Sequence, residues 1–359
     1  MFDRTQRFPR ARIAAAVLLA ASALTGCSEG NDQNSLEPKG PYADQILDLF
    51  SPFFWVAVVI GIGVVAATIY VALKFREKPG EERNPKQVHG NTVLEVGWTI
   101  VPALILAVMA VPTVAIVFDL AEKPEAGALE INVTAKQWWW EFEYPEQGII
   151  TANVMHIPAG RPVTVNLRSP ETGVIHSFWV PSLNGKKDAV PGRTTFLKLE
   201  ADEPGLYRGQ CAEYCGLSHA NMRLRVIAQT ADDFEQWVTE QQQPLDADAV
   251  AFAESMNATW GCNQCHAFGG VEGATAQVGP DLTHVGDRPT FASDIYETNL
   301  DNLTEWVYDA PGRKPAGPLQ GWMPSFKQAG MTREQAAEIA RFLLCDTATD
   351  PSVHSECEG

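Results

Sequence analysis

Two long stretches without a charged side chain are the feature that most constrains how this chain can fold. Residues 49–73 and 96–118 contain no Asp, Glu, Lys or Arg. A helix that crosses a bilayer needs about 20 predominantly apolar residues, and it tolerates internal prolines such as Pro102 and Pro112. The segment 49–119 is therefore predicted to hold two transmembrane helices, at about 50–74 and 95–118. Two buried helices of a soluble domain are the alternative.

The basic residues predict how these helices are oriented. The loop between them carries Lys74, Arg76, Lys78, Arg83 and Lys86. Lys and Arg favour the cytoplasmic side of a membrane. The loop is therefore predicted to be cytoplasmic, and the chain from about residue 120 onward is predicted to face the periplasm or the cell exterior.

The N-terminus carries the pattern of an export signal. Four arginines lie within residues 1–12, and a short apolar run follows up to Leu24. The ending LTGC resembles a bacterial lipoprotein lipobox, which implies a signal peptide over residues 1–26 and a lipid anchor on Cys27. An ordinary signal peptide with an incidental cysteine is the alternative. After the N-terminal segment 27–48, the chain would be a multi-pass protein of the bacterial plasma membrane.

The outer part of the chain is acidic and has the periodicity of strands. The formal net charge of −17 over 359 residues argues against nucleic acid as a partner. Segments such as LEINVTAKQWWWEFEY and RPVTVNLRS alternate apolar and polar residues, and Pro and Gly separate them. Residues 120–230 are therefore predicted to form a Greek-key β-sandwich.

Soft metal ligands are concentrated in the sequence CAEYCGLSHANM. It holds the thiols of Cys211 and Cys215, the imidazole of His219 and the thioether of Met222. A zinc site would leave the methionine without a role, and a single blue-copper centre has only one cysteine ligand. Two thiolates, in contrast, can bridge two metal ions. The set therefore predicts a two-copper centre, with His176 as the second histidine. A Cys211–Cys215 disulfide with chance neighbours is the alternative.

A second redox motif follows a predicted linker at residues 231–247. Cys262, Cys265 and His266 form the C-x-x-C-H pattern of covalent haem c attachment, in which the imidazole binds the iron. The carbonyl of Pro280 is expected to orient the ring of His266. Residues 248–346 are therefore predicted to be an all-α, class I cytochrome c domain.

The sixth iron ligand is expected to be a methionine well beyond the haem motif. Met323, in the sequence GWMPSF, is the preferred residue, and a His/Met pair raises the reduction potential. Met331 is the alternative. His284 is interpreted as a surface histidine, and a capping box that begins at Thr332 predicts the last helix.

The motif C-x-E-x-C-x-x-x-H-x-x-M, together with the upstream sequence HSFWVPS, resembles subunit II of cytochrome c oxidase. The resemblance implies a cupredoxin-like fold and a dinuclear copper A centre. Its ligands would be His176, Cys211, the backbone carbonyl of Glu213, Cys215, His219 and Met222. The Glu213 side chain would also help to bind Mg²⁺ at the boundary with subunit I, with a solvent-facing carboxylate as the alternative.

Three further segments carry the same resemblance. The run QWWWEFEY is similar to the family's QWYW motif, which implies that Trp138 accepts electrons from cytochrome c; tryptophans of the buried core are the alternative. The run KKDAVPGR implies that Asp188 and Arg193 lie at the subunit I boundary. Glu95 falls where the family has the glutamate that opens a proton channel, and a carboxylate that favours the N-terminus of its helix is the alternative.

The C-terminal tail, residues 347–359, ends the chain. Cys345 and Cys357 remain once the other cysteines are assigned, and we expect them to form a disulfide in an oxidising compartment.

The resemblance implies a respiratory enzyme subunit with a fused cytochrome c. Electrons would arrive from an external cytochrome c or a cytochrome bc1-type complex and pass through haem c and copper A to subunit I. Oxygen would be reduced there, coupled to proton transfer, and subunit III would complete the assembly. A copper-binding or copper-delivery membrane protein without an oxidase role is the alternative.

Overall fold

The computed structural model describes residues 33–76, 80, 87, 89–122, 127–315, 323–350, 352 and 354–357. The predicted signal peptide at 1–26 and the predicted lipid anchor Cys27 lie outside these residues.

Two long apolar helices come first. Helix α1 spans Pro41–Lys74 and helix α2 spans Thr92–Ala121, and both are long and apolar enough to cross a membrane by length and composition. Helix α1 begins earlier than predicted, with a proline in its first turn, where the missing N–H costs nothing. Helix α2 begins after Asn91, whose side chain accepts hydrogen bonds from two backbone N–H groups.

A sandwich of two five-stranded sheets follows in the described part of the chain. The first sheet has the order β3-β2-β1-β5-β8 and the second β4-β10-β9-β6-β7. The strands are β1 Leu129–Lys136, β2 Trp139–Tyr144, β3 Ile149–Ala152, β4 Val154–Pro158, β5 Val163–Arg168, β6 His176–Trp179, β7 Lys187–Ala189, β8 Thr195–Leu199, β9 Gly205–Cys211 and β10 Arg223–Gln229. Alternate side chains of β1, such as Leu129, Ile131 and Val133, are fully buried, as the period of a strand requires. The predicted β-sandwich is confirmed.

The segment predicted as a linker is largely helical. Helix α3 spans Ala231–Gln241 and begins at Thr230, whose hydroxyl accepts from the N–H of Asp233. Phe234, Trp237 and Val238 are buried in the core of the sandwich. The prediction of a linker over 231–247 is therefore wrong for 231–241, because this amphipathic helix packs its apolar face against the preceding domain.

The last domain is mainly helical. Helices α4 Ala247–Trp260, α5 Leu300–Arg313 and α6 Arg333–Arg341 form it, with a π-helical turn at Phe342–Asp346 and a two-stranded ladder of β11 Thr290–Phe291 and β12 Tyr296–Glu297. The predicted capping box at Thr332 is present, with both reciprocal hydrogen bonds. Cys345 and Cys357 form a disulfide with Cα atoms 5.6 Å apart. The apolar core of this domain is separate from that of the sandwich.

Candidate metal centre and haem cavity

Three paired strands position the soft ligands. Strand β9 ends at Cys211 and β10 begins at Arg223, so the sequence between them is a loop closed by the hydrogen bond from Cys211 N–H to the carbonyl of Met222, 2.8 Å. Strand β6, which begins at His176, pairs with β9 and sets Phe178 opposite Cys211. The ligands from residues 211–222 and His176 are thereby brought to one end of the second sheet.

The donor atoms of this set face one another. Cys211 Sγ lies 3.7 Å from Cys215 Sγ, 3.8 Å from His176 Nδ1 and 3.2 Å from the Glu213 carbonyl oxygen. Cys215 Sγ lies 3.6 Å from His219 Nδ1 and 3.9 Å from Met222 Sδ. All six predicted copper ligands are therefore brought together by the fold.

These separations fit bound metal and do not fit a disulfide. Metal–sulfur and metal–nitrogen bonds of about 2.3 and 2.0 Å at a tetrahedral angle hold their donors about 3.5–3.8 Å apart. Sulfur atoms in a disulfide are about 2.05 Å apart, whereas Cys211 and Cys215 are both free. The disulfide alternative is therefore wrong, and two thiolates with imidazole, thioether and carbonyl donors fit a pair of copper ions.

Hydrogen bonding, against the opposing effect of burial, favours the thiolate form of one cysteine in this pair. A hydrogen bond from Cys215 lowers the pKa of Cys211, with further help from His176 and two backbone groups. The same bond raises the pKa of Cys215, which keeps the shared proton. A thiolate is the form of cysteine that binds metal, so metal binding here would release the protons that the thiols still hold.

The tryptophan run contacts the copper loop. Trp138 precedes β2, and its indole Nε1 donates to the carbonyl of Cys215 at 2.9 Å. Gln137 Nε2 donates to the same oxygen at 2.7 Å, a contact that sequence reasoning missed. Gly216 has φ +114°, and a Cβ there would lie 2.8 Å from Trp138 Cζ2, so a glycine is required.

Trp138 is buried, although it was expected to meet a partner at the surface. Its exposed fraction is 2%, while Trp139 is half-buried and Trp140 fully buried. The last domain covers Trp138, since Ser293 Oγ donates to its carbonyl at 2.7 Å. Trp138 therefore lies at a contact between two domains of the same chain, and its role in accepting electrons stays a prediction.

The predicted haem residues line one cavity of about 350 Å³, whose wall is formed by the last domain together with sandwich residues such as Trp138. Cys262, Cys265, His266 and Met323 lie in its wall, and so does Met331. A cavity of this apolar character next to two free cysteines and an imidazole suits a covalently attached porphyrin. Both methionines remain within reach of it, and the choice of Met323 stays a prediction.

The imidazole of His266 is held by its neighbours. Its Nδ1 lies 2.7 Å from the Pro280 carbonyl, as the sequence predicts. Burial lowers its pKa, which favours the neutral ring. Nδ1 donates to the Pro280 carbonyl, so Nε2 is the nitrogen that would bind a haem iron. A Cβ on Gly279 would lie 2.5 Å from His266 Cε1, so this wall leaves no room for a side chain.

The remaining predicted residues lie on α2, on β7 and in the turn after it, and in the copper loop. Glu95 is exposed in the first turn of α2. Asp188 pairs with Ser177, one residue from His176, and Arg193 is exposed in the following turn. The Glu213 carboxylate is half-buried and accepts from the N–H of Tyr214.

His284 is not a surface residue. Only 8% of it is exposed, its Nε2 lies 2.9 Å from the Gln243 carbonyl, and its Nδ1 lies 3.6 Å from the Asp287 carboxylate. The interpretation as a surface histidine is wrong, because the connection at 242–246 folds back over it.

The fold and the two sites define a class of protein. An apolar helical pair, a cupredoxin-like sandwich with a set of soft metal ligands and a domain with a C-x-x-C-H cavity are the parts of a membrane-anchored electron-transfer protein.

Comparison with known proteins identifies the family. Residues 33–116 match the transmembrane domain of cytochrome c oxidase subunit II, residues 149–229 its periplasmic domain, and residues 252–345 cytochrome c. The chain is 39% identical over 299 residues to cytochrome c oxidase subunit 2 of Alkalihalophilus pseudofirmus, covering 81% of this chain and 86% of that one. The chain belongs to the cytochrome c oxidase subunit II family and carries a C-terminal cytochrome c domain.

Two further similarities were found. Cytochrome c oxidase subunit 2 of Bacillus subtilis is 32% identical over 326 residues, covering 85% of this chain and 90% of that one. The crystal structure of the periplasmic domain of subunit II of cytochrome oxidase from Bradyrhizobium japonicum is 30% identical and covers 33% of this chain and 96% of its own, with a TM-score of 0.32.

The family assignment has direct consequences. The protein is a component of a haem–copper oxidase, which is an oxidoreductase. Its domains imply copper A and haem, and it is a membrane protein with a periplasmic domain that associates with other oxidase subunits.

Proposed function

We propose that this chain is the electron-transfer subunit of a respiratory cytochrome c oxidase. It takes electrons from an external cytochrome c or a cytochrome bc1-type complex and delivers them to subunit I, where oxygen is reduced and protons are moved. When bound, dinuclear copper A and haem c supply reversible one-electron chemistry. Cys262 and Cys265 would hold the haem, with His266 and Met323 on its iron.

One observation carries this proposal. Trp138 lines the haem cavity and also donates a hydrogen bond to the carbonyl of Cys215, 2.9 Å away. A single buried side chain thus contacts both candidate redox sites, and its aromatic ring offers a short covalent and hydrogen-bonded connection between them. A copper-delivery protein needs an exchangeable, accessible site. The burial of Cys211, Cys215 and Met222 argues against that alternative.

The remaining assignments belong to the same proposal. The protein would cross the bacterial plasma membrane twice with both redox domains outside, anchored in addition by a lipid on Cys27. Glu213 would help to bind Mg²⁺ where Asp188 and Arg193 meet subunit I, and subunit III would complete the complex. Glu95 would open a proton channel, and its position in the first helical turn also suits the helix dipole.

Rapid mixing tests the order of the two centres. The purified oxidase, fully oxidised, is mixed with a reduced cytochrome c, and the haem c and copper A absorption bands are followed separately. We expect the fused haem to be reduced first and copper A next. Turnover of oxygen with the fused haem remaining oxidised or reduced throughout would contradict the proposal. A Cys215→Ser variant should still reduce its haem but leave it unable to reoxidise.

A further inference from the structure

Three consecutive residues of the last domain have an unfavourable backbone. Ala292, Ser293 and Asp294 have φ values of 53°, 69° and 59°. Each left-handed residue other than glycine costs about 1 kcal/mol or more, and such residues persist only where the surroundings fix them. The segment lies between β11 and β12, in the turn that faces the sandwich.

This segment directs two side chains at the copper domain. Ser293 is fully buried, and its hydroxyl donates to the Trp138 carbonyl at 2.7 Å. The Asp294 carboxylate, 5% exposed, forms an ion pair with Arg225 of β10 and lies 3.7 Å from Arg208 of β9. Buried ion pairs with good geometry favour one docking orientation over others.

A lysine reinforces the same contact. Lys314 follows α5 and is 3% exposed. Its Nζ donates to the Trp138 carbonyl at 2.7 Å, to Ser293 Oγ at 2.8 Å and to the Ala292 carbonyl at 3.3 Å. Burial lowers the pKa of Lys314 to about 7, which reflects how much hydration the amine gives up to reach these oxygens.

The residue after this lysine contacts the copper loop itself. Ser218, which lies between the predicted ligands Cys215 and His219, donates to the carbonyl of Pro315. Lys314 and Pro315 therefore connect the last domain to both the tryptophan and the ligand loop. The buried amine of Lys314 and the left-handed turn at residues 292–294 are costly features, and they favour a permanent contact between the two domains over a transient one.

We propose that Ala292–Asp294 together with Lys314, here called the docking latch, hold the cytochrome domain in a fixed position over Trp138. The latch residues are positioning residues, because they form hydrogen bonds and ion pairs with Trp138, with one another and with two arginines of the sandwich. By covering Trp138, the latch reserves it for the fused cytochrome and excludes an external cytochrome c from that contact. The effect of the latch on electron transfer rests on the proposed function. The docking of the cytochrome domain on the sandwich does not depend on it.

Hydrogen–deuterium exchange on the full-length protein tests the docking. Lys314→Met and the isosteric Asp294→Asn are compared with wild type, and Lys327→Met, an exposed lysine of the same domain outside the latch, is the matched control. We expect the peptides around residues 136–140 and 290–296 to exchange about tenfold faster in both latch variants, as the loss of one hydrogen bond to a charged group predicts. The control should match wild type.

The second readout is the rate at which the pre-reduced fused haem loses its electron within the protein. It should fall in both latch variants, while the haem and copper spectra stay unchanged. Exchange as slow as in wild type, or an equal increase in the Lys327→Met control, would overturn the latch. Ser293→Ala, which removes one neutral hydrogen bond, covers the case in which Lys314→Met does not fold. Absence of copper or haem from the wild type would refute the proposed function. The hydrogen–deuterium exchange comparison would still test whether the latch holds the two domains together.

Discussion

At the scale of single residues, the two sites depend on close approaches that leave no room for a side-chain carbon. Gly279 lies against the imidazole of His266, and Gly216 lies against Trp138. Each position fixes a ring that the chemistry needs, in one case the candidate iron ligand and in the other the residue between the two redox sites. Such glycines have no signature in a single sequence, because their role is set by neighbours from other elements.

Gly279→Ala should impair haem binding. The added Cβ would lie 2.5 Å from His266 Cε1, so the ring must turn away from both Pro280 and the iron. We expect loss of the low-spin haem spectrum in most of the purified protein, with the copper A signal retained. Gly185→Ala, whose Cβ would meet only an ordinary contact at 3.4 Å, is the control and should keep both spectra.

His156 should make the sandwich sensitive to acid. Its ring stacks on Trp237 at 4.5 Å, and its burial lowers the pKa to about 4 from an ordinary 6.5. The unfolded chain binds the His156 proton more readily than the folded protein does. The contribution of His156 to the free energy of unfolding is therefore fully present above pH 6.5 and is lost as the pH falls towards 4. At pH 4.5 the loss is about 2.5 kcal/mol.

The His156→Gln variant separates this effect from other acid-sensitive groups. Unfolding of variant and wild type is measured by denaturant titration at pH 7 and at pH 4.5. We expect the variant to lose less stability than the wild type between these two pH values. Equal losses would mean that His156 is not the group that titrates.

At the scale of elements, α3 has a helical pattern that the predicted linker does not take into account. Its polar ending QQQP suggested a break in structure, although Phe234, Trp237 and Val238 have the i, i+3, i+4 spacing of an amphipathic helix. The copper loop was predictable because most of its ligands lie within twelve consecutive residues, 211–222. The covering of Trp138 was not, because its partners Ser293 and Lys314 are 155 and 176 residues away in the chain.

Phe234→Ala should destabilise the sandwich, because α3 belongs to its core. Phe234 is 1% exposed, and truncation of a buried Phe typically costs about 3–5 kcal/mol. The matched control is Glu235→Ala, on the exposed face of the same helix, which should change stability by less than about 0.5 kcal/mol. Denaturant unfolding followed by tryptophan fluorescence measures both. Equal effects of the two substitutions would show that α3 does not contribute to the core of the sandwich and is a linker.

At the scale of the whole molecule, the chain consists of two separately packed outer domains joined by a small set of polar contacts. Each domain has its own apolar core, so each should respond to its own cofactor. The contact at Trp138 orients the domains, and their two apolar cores share no residue. The apolar helices add the membrane anchor that keeps both close to the other oxidase subunits.

Removal of copper should therefore destabilise one domain only. When the free metal concentration is a thousand times the dissociation constant of the folded site, metal binding stabilises the fold by about 4 kcal/mol. Calorimetry before and after chelation should show one transition lowered by at least about 10 °C and the haem-bearing domain unchanged. A shift of both transitions by the same amount would contradict the separation into two cores.

All of these expectations depend on one arrangement, in which a single chain holds a pair of sulfur-bridged copper ions beside a covalently attached haem. Electron paramagnetic resonance of the oxidised, purified full-length protein, with copper and iron counted in the same sample, tests it most directly. We expect a copper spectrum in which one unpaired electron is shared equally by two nuclei, a low-spin haem signal, and two coppers for each iron. A spectrum of a single isolated copper, or a sample without covalently bound haem, would contradict it.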